Sequence, residues 1–321
     1  MHRTKNDTPK RRASACTFFV KFCEESEADW SIYRVDWVRQ LIFLFDDSEV
    51  QVHTAAWQAF DAFVKCIPKD EYEPLVVTLR RAIESTGAPG RAVPGFSLPK
   101  GVAPTVPIII AGLTTGNNEQ RENAAYAIGD LVERTDEIIM KTFVVPFTGP
   151  LIRVATQATI YPPGVKTAIL SALAQMLQSI PNHVKPFFPQ LQRTFVKSLS
   201  DPTSAVVRTR AAEALGILMR SQSRVDPVVT ELINSIRGSE EEIGASFVLA
   251  LSHVVRSAHA HGGIGDKARE SCIELLHEAF RESHDGKQIY FISTFLMSFF
   301  QIIIRRRWQT FLHLYLRTKN L

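Results

Sequence analysis

The sequence predicts an all-α fold, an α-solenoid of stacked helix hairpins, on three observations. A helix motif with paired small residues recurs along the chain, and helix-capping turns precede several of its copies. Alternating β-branched residues joined by Asn-Gly or Asp-Gly turns, the signal of hairpin strands, do not occur. Hydrophobic residues make up 45% of the chain and charged residues 22%, which are ordinary values for a globular protein with a sizeable core.

The recurring motif has an alanine step followed by an apolar residue, and it sets the repeat length. Successive copies lie 44, 68, 45, 42 and 36 residues apart. Apart from the long interval, this spacing is close to the roughly 40–47 residues of HEAT and armadillo units. A hairpin of that size cannot bury its apolar face alone, so its neighbours must stack on it. The sequence therefore predicts an all-α HEAT/armadillo-type α-solenoid. The aligned residues are Cys16, Phe60, Ile128, Leu173, Leu215 and Leu251.

Turn signals separate the predicted helices. Asp, Asn and Ser cap the first turn of a following helix, while Pro and Gly end the preceding one. Residues of these types stand just before four of the predicted helices, so each of those helices has a defined start. The four turns are 46–48, 117–118, 162–164 and 201–204.

The 68-residue interval contains a segment rich in Gly and Pro, residues 84–107. Because these residue types forbid a regular helix, we expect a long loop between two repeats. Two interpretations are open for this loop. It is either a plain linker that crosses a bend of the solenoid or a segment that presents Arg91, Phe96 and Lys100 to a partner. We favour the linker.

These features divide the chain into five parts. A short basic start is expected to be disordered, and two blocks of HEAT repeats flank the Gly/Pro-rich loop. After the second block the sequence becomes apolar and basic and lacks the alanine step of the repeats. In chain order the parts are 1–9, 10–83, 84–107, 108–287 and 288–321.

The sequence favours a cytoplasmic protein without a membrane anchor. The first dozen residues are polar, unlike a secretory signal, and the four cysteines form no CxxC pair, which fits a reducing compartment. An apolar stretch at 289–304 is followed by Arg305–Arg307, as at a membrane interface. It is shorter than the roughly 20 residues that span a bilayer, and it contains Ser293, Ser298 and Gln301.

Charge is unevenly distributed along the chain. The net charge is +4, but residues 150–225 alone carry nine Lys and Arg against two acids, for +7. A basic segment between more acidic ones suggests a directed surface for an acidic partner. The alternative is a solvated helix face that happens to be basic.

The polar residues match no catalytic or metal-binding motif. The His-Glu pair at 277–278 is followed by Arg281, where an HExxH zinc site needs histidine. Three histidines between 253 and 261 come without a Cys or an acid at ligand spacing, so a polar loop is favoured over a metal site. Cys272 lies at helical spacing with apolar residues and is expected in the core. We therefore expect no enzyme, no cofactor and no metal.

Five strings resemble one family: the very large HEAT-repeat, ribosome-associated activator of the general amino-acid control kinase, which phosphorylates the α-subunit of translation initiation factor two. The most specific string is KPFFPQLQRTFVKSLSD at 185–201, which follows FVVPFTGPLIR at 143–153. Family members are several times longer, so the resemblance implies that this chain is part of the C-terminal region. The other strings lie at 93–101, 207–216 and 224–233.

The resemblance implies a non-catalytic scaffold that binds and activates this kinase on ribosomes during amino-acid starvation. It implies that the RWD domain of the kinase docks on 108–287, and that more N-terminal repeats, outside this chain, engage the ribosome. We expect neither specific DNA nor a membrane as a partner.

The candidate partner-binding residues come from the basic segment. Basic side chains on successive repeats would line one face and steer an acidic domain toward it. Alternatively, Arg208 and Arg210 pair with acids of neighbouring repeats. The candidates are Arg193, Lys197, Arg208, Arg210, Arg220 and Arg224.

Two other functions are alternatives to the kinase-activating scaffold. A HEAT-repeat transport or assembly adaptor would bind other proteins through acidic or Asn/Trp ladders. The aligned helices contain no Trp–Asn pairing, since Trp57 is their one tryptophan, and this argues against such a ladder. A ribosome- or RNA-binding segment would need aromatic residues among its cations for base stacking. Residues 190–225 contain only Phe195, which disfavours this second alternative.

Overall fold

The computed structural model of the protein describes residues 8–157, 160–258 and 262–282. These residues are mostly helical, and no strand occurs among them. The chain divides into two compact units, Met1–Phe187 and Phe188–Leu321. In each unit helix hairpins stack side by side, which confirms the predicted all-α solenoid. The apolar and basic tail at 288–321 and most of the basic start lie outside the described residues.

The first unit is built from three helix hairpins and the single helices stacked against them. The helices are α1 (Pro9–Glu25), α2 (Arg34–Phe43), α3 (Val50–Lys65), α4 (Val76–Ser85), α5 (Val106–Thr114), α6 (Asn118–Glu133), α7 (Glu137–Met140), α8 (Val144–Thr156), α9 (Pro163–Ser179) and α10 (Pro181–Val184). The hairpins are α2/α3, α5/α6 and α8/α9, and the last two stack through α6 and α9. The single helices are α1, which packs on α3, and α4, which packs on α2 and α6.

The second unit repeats the same arrangement over the described residues. Hairpins α11/α12 and α13/α14 lie side by side, with α12 stacked on α14 and α13 packed against α15. Helix α11 shows why these segments fold as amphipathic helices, since Leu191, Phe195 and Leu199 recur at helical spacing and are fully buried. The helices are α11 (Phe188–Leu199), α12 (Ala205–Met219), α13 (Asp226–Arg237), α14 (Glu241–Ala258) and α15 (Asp266–Glu282).

Small residues lie where neighbouring helices approach closely. A Cβ atom at Gly112 of α5 would lie 2.3 Å from Cγ2 of Val76, at the start of α4. A Cβ atom at Gly216 of α12 would lie 2.6 Å from Cβ of His253 on α14. A side chain at either glycine would push the two helices apart. The small-residue step therefore marks sites of helix contact, as the sequence predicts.

The Gly/Pro-rich segment is packed against the helices, so the interpretation as a plain linker is wrong. Helix α4 ends at Ser85, and residues 86–102 form turns before a 3₁₀ turn leads into α5. The backbone N–H of Val93 donates to the carbonyl of Arg134 at 2.8 Å, and that of Gly95 donates to the carbonyl of Phe45 at 2.8 Å. Indole Nε1 of Trp57 donates to the carbonyl of Lys100 at 3.0 Å.

The side chain of Phe96 anchors this segment. Its ring is fully buried, and its centroid lies 5.1 Å from that of Phe45 in an edge-on arrangement. Phe96 therefore cannot be offered to a partner, and the interpretation of the segment as a presented patch fails for this residue. Arg91, in contrast, is exposed and forms an ion pair with Asp46.

Arg134 ties the end of α4 to the end of α6. Its buried guanidinium donates to the carbonyl of Glu84 at 3.0 Å and to that of Thr86 at 3.2 Å. These carbonyls belong to the last turn and the C-cap of α4, where no further helical N–H is available. Burial raises the pKa of the neighbouring Asp130 carboxyl group, although the charges of Arg80 and Arg134 oppose that rise.

Replacing the N-cap Asn117 with alanine should destabilise the protein by about 1 kcal/mol. The Asn117 side chain accepts from the backbone N–H of Gln120 at 2.9 Å, and the Gln120 side chain accepts from that of Asn117 at 2.8 Å. This reciprocal capping box satisfies two N–H groups at the start of α6. Urea unfolding followed by circular dichroism measures the change. The matched control is Asn118→Ala, one residue later, which should leave the midpoint unchanged.

Candidate partner-binding surface

Helix α11 presents two of the candidate cations to solvent. Arg193 and Lys197 are exposed and lie one helical turn apart. The opposite face of the helix, with Leu191 and Phe195, is buried in the second unit. Because the core fixes the helix, the two positive charges are held on a rigid backbone.

Arg208 lies inside the second unit, so the prediction that it lines an exposed basic face is wrong. Its side chain is only 3% exposed. The guanidinium forms an ion pair with Glu242 of α14, and its Nε donates to Oγ of Ser246 at 3.0 Å. A third hydrogen bond runs to the carbonyl of Asp201 at 2.8 Å. Arg208 therefore joins α12 to α14 and to the preceding turn, as the alternative interpretation of an ion pair between repeats expects.

The turn at 201–204 places the backbone carbonyl of Asp201 within hydrogen-bonding distance of Arg208. The Asp201 carboxylate accepts from the backbone N–H groups of Thr203 at 2.9 Å and Ser204 at 3.1 Å. The Ser204 hydroxyl then accepts from the N–H of Val207 at the start of α12. These bonds fix the turn that the sequence predicts, and the Asp201 carbonyl faces the first turns of α12.

Arg210 is exposed on α12 and pairs within its own helix. Its Nη1 lies 2.9 Å from Oε2 of Glu213, and both side chains are solvent-accessible. An ion pair of this kind contributes little to stability, because water and salt screen it. Arg210 therefore remains at the surface, with its charge partly balanced.

Arg220 and Arg224 follow the end of α12 and are exposed. Half-buried His253 of α14 lies beside this end. Burial lowers the pKa of His253, and the charges of Arg256 and Arg220 lower it further. The sequence analysis missed His253 and Arg256 as neighbours of Arg220. The close packing of α12 on α14 at Gly216 brings these three residues together. In the sequence, Gly216 is the residue that could have indicated this close packing.

The six candidates therefore do not form a single basic face. Arg208 is buried and the other five are exposed, including Arg193 with Lys197 on α11 and Arg220 with Arg224 after α12. Each pair combines two exposed cations at short spacing, which suits the attraction of an acidic protein surface.

The described residues contain no group of three or more His, Cys, Asp or Glu side chains that could hold a metal ion. Burial raises the pKa of Cys272 to about 12, so its thiol stays protonated at neutral pH. Glu278, beside His277, is held by Arg237 of α13 at 2.9 Å. His259, His261 and His284 lie outside the described residues.

One stretch of the described residues, Glu137–Thr156, is long and apolar enough to cross a membrane by length and composition. Of its most apolar window, 44% is buried within the protein, including Phe147 and Leu151 of α8. A core helix of a solenoid meets the same criterion, so the stretch is weak evidence for a membrane span. The apolar stretch at 289–304 lies outside the described residues.

Two protein families match parts of the chain. The family described as "Stalled ribosome sensor GCN1-like, HEAT repeats" matches residues 1–100. The family of HEAT-like repeats matches residues 163–218, which include Arg193, Lys197 and all of α12 except its last residue. Both matches agree with the repeat length and with the stacked hairpins.

Relatives from fungi, animals and plants match most of the chain. The eIF-2-alpha kinase activator GCN1 of Saccharomyces cerevisiae is 35% identical over 286 residues, 89% of this chain and 11% of that protein. The stalled ribosome sensor GCN1 of Homo sapiens is 34% identical over 293 residues, 90% of this chain and 11% of that protein. Protein ILITYHIA of Arabidopsis thaliana is 34% identical over 78% of this chain. The chain thus spans about a tenth of the length of the curated relatives it matches.

Two solved structures resemble this chain in their fold. Importin beta covers 90% of this chain with a TM-score of 0.54 at 14% sequence identity, and the match spans 40% of the importin chain. A chain from the structure of Kap95p with RanGDP covers 100% of this chain with a TM-score of 0.52 at 11% identity, over 44% of its own length. At this low identity the likeness supports the solenoid architecture and carries no function.

Proposed function

Because the chain belongs to the GCN1 family of HEAT-repeat proteins, of which it matches about a tenth of the length, we propose that it is a protein-binding segment of a non-catalytic scaffold in translational control. In this proposal the scaffold binds the kinase of the initiation factor two α-subunit and activates it on ribosomes during amino-acid starvation. Within that scaffold, the role of this chain is to bind the RWD domain of the kinase.

One observation carries the proposal, the 35% identity over 286 residues with a protein named for activating this kinase. The strings that carry the sequence resemblance, 185–201 and 207–216, hold four of the six candidate cations. The observed fold is compatible with this role, since solenoids offer extended surfaces for protein partners.

The exposed pair of cations on α11 is the best placed to receive an acidic domain. Arg193 and Lys197 are exposed, and the buried face of their helix holds them at a fixed position. Exposed complementary charges mainly raise the association rate, by steering the partner during its approach. Arg220 and Arg224 are also exposed in the same unit. The proposal places this encounter in the cytoplasm and assigns ribosome contacts to repeats outside this chain.

Charge reversal on α11 tests the proposal. We expect the RWD domain of the kinase to bind the full chain, and Arg193→Glu with Lys197→Glu to weaken binding roughly tenfold, mainly through slower association. Surface plasmon resonance at two salt concentrations separates association from dissociation, and higher salt should narrow the difference between the two proteins.

The matched control reverses two exposed cations of the first unit, Lys69→Glu with Arg81→Glu, and should bind like the unaltered chain. If the α11 variant keeps its affinity while Arg220→Glu with Arg224→Glu loses it, the site moves to the end of α12. If the folded, unaltered chain does not bind the RWD domain, docking of the kinase on this chain is wrong. Binding of a basic transport-signal peptide instead would favour the adaptor alternative.

A further inference from the structure

The outer face of α8 is apolar and open to solvent. Val145 is 67% exposed, and the partly exposed Gly149 and Ile152, four and seven residues later, lie on the same side of the helix. The opposite side of α8 is buried in the first unit, so these residues point away from the core. Ile138, in the preceding helix α7, is 82% exposed.

Gly149 leaves a notch in this face. A Cβ atom added there would meet no atom within 4 Å, so the backbone of α8 is accessible at that point. Neither packing nor a positive φ angle requires glycine at this position, since Gly149 is not among the glycines with positive φ. In a helix interior, glycine costs about 1 kcal/mol relative to alanine. The position therefore leaves room for a partner to approach the backbone closely.

Pro150 adds an unusual feature to the same helix. It lies inside α8 and has no N–H, so it cannot donate the helical hydrogen bond to the carbonyl of Pro146, four residues earlier. A proline inside a helix costs about 3 kcal/mol or more. The face thus combines exposed aliphatic side chains with a notch at Gly149.

Charged residues are few in the sequence of α7 and α8, and the two nearest the ends of the face are positive. No Asp or Glu occurs between Glu137 and Tyr161, and the Glu137 carboxylate lies 3.3 Å from Nε2 of His183. Lys141 and Arg153 are exposed near the two ends of the face. Twelve residues of helix separate them, which corresponds to about 18 Å. This distance matches about three turns of a second helix laid along α8.

We propose that the outer face of α8 is a docking site for an acidic amphipathic helix. The apolar side of that helix packs on Val145 and Ile152 and enters the notch at Gly149. Its carboxylates lie opposite Lys141 and Arg153. This site is separate from the basic pairs of the second unit and belongs to the first unit alone.

A membrane surface is the other occupant that an exposed apolar helix face suggests, and the charges disfavour it. Helices that lie on membranes carry a strongly basic polar face along their length. Here Lys141 and Arg153 are the only Lys or Arg between 138 and 160. Two cations near the ends of a narrow apolar strip fit a helical peptide better than a lipid surface.

The test uses two synthetic amphipathic peptides with leucine at i, i+3, i+4 and i+7, one with flanking glutamates and one with flanking lysines. Fluorescence anisotropy should show binding of the acidic peptide to the full chain, and at least tenfold weaker binding of the basic one. Gly149→Gln fills the notch from a position where an added Cβ atom meets no atom within 4 Å, and it should weaken binding of the acidic peptide at least tenfold. Because glutamine favours a helix more than glycine does, this variant should keep its thermal stability.

Val145→Asp removes apolar contact and places a like charge before the peptide, so it should also weaken binding at least tenfold. The matched control is Val206→Asp on α12, where the valine is 60% exposed, and it should bind like the unaltered chain. Equal binding of both peptides, or unchanged affinity in Gly149→Gln and Val145→Asp, overturns the proposal. Binding to phosphatidylserine vesicles that these variants abolish, with no peptide binding, assigns the face to membranes and also overturns it.

Discussion

Changing Arg208 to glutamate is expected to lower the free energy of unfolding of the second unit by about 3–5 kcal/mol. The new carboxylate would be buried beside the carbonyl of Asp201 and would face Glu242, its former ion-pair partner. The three contacts of the guanidinium would be lost at the same time. Arg208→Ala should cost less, about 1–3 kcal/mol, because it removes the hydrogen bonds without burying a charge.

Urea unfolding followed by circular dichroism measures this effect, and Arg210→Glu is the matched control. Arg210 lies two residues away on the same helix but is exposed, and its pair with Glu213 is screened by solvent. Its reversal should change the free energy of unfolding by less than about 1 kcal/mol. Equal, small effects at both positions would contradict the structural role of Arg208.

The difference between buried Arg208 and exposed Arg210 determines which residues should be substituted in a test of partner binding. A loss of partner binding after changing Arg208 would report on unfolding of α12 and α14 as much as on a docking surface. Arg193 and Lys197 avoid the problem, because they are exposed and their helix buries its other side.

Replacing Phe96 with alanine is expected to destabilise the first unit by about 3–5 kcal/mol. The ring is fully buried and packs on Phe45, in a segment with no regular helix of its own to hold it. Without the ring, the segment keeps the hydrogen bonds from Val93 and Gly95 and the one from Trp57 to Lys100. The segment should then open locally, so trypsin should cut at Arg91 or Lys100 much faster than in the unaltered chain.

The matched control for this prediction is Arg91→Ala in the same segment. Its ion pair with Asp46 is exposed, so its removal should cost less than about 1 kcal/mol and leave Lys100 resistant to trypsin. A Phe96→Ala variant as stable as this control would show that the segment is a loose linker after all.

The sequence predicts the repeats well because their signals are local. The alanine step and the capping residues act within one hairpin, and Asn117 caps α6 as expected. The buried position of Arg208 also leaves a local signal, since it lies three and four residues before the buried alanines 211 and 212. A positive charge favours a position at the surface. Only the packed structure shows that groups of α14 and the carbonyl of Asp201 bind the buried guanidinium of Arg208.

The packing of the Gly/Pro-rich segment depends on residues distant in sequence, so the pattern could not predict it. Phe96 meets Phe45, and Val93 meets Arg134, about 40 to 50 positions away along the chain. Only the arrangement of α2, α3 and α6 brings these groups together. For a similar reason, the sequence could not predict the exposed face of α8. The pattern of an apolar helix does not show which side its neighbours leave exposed to solvent.

A photo-crosslinking amino acid at position 193 of the full chain tests the central claim, the docking of an acidic domain on α11, most directly. With the RWD domain of the kinase present, we expect a crosslinked complex from position 193 and none from position 81 of the first unit. Mass spectrometry should place the attachment on an acidic surface of the RWD domain. Crosslinking from 81 but not from 193, or no crosslink while the domains still bind, would contradict the claim.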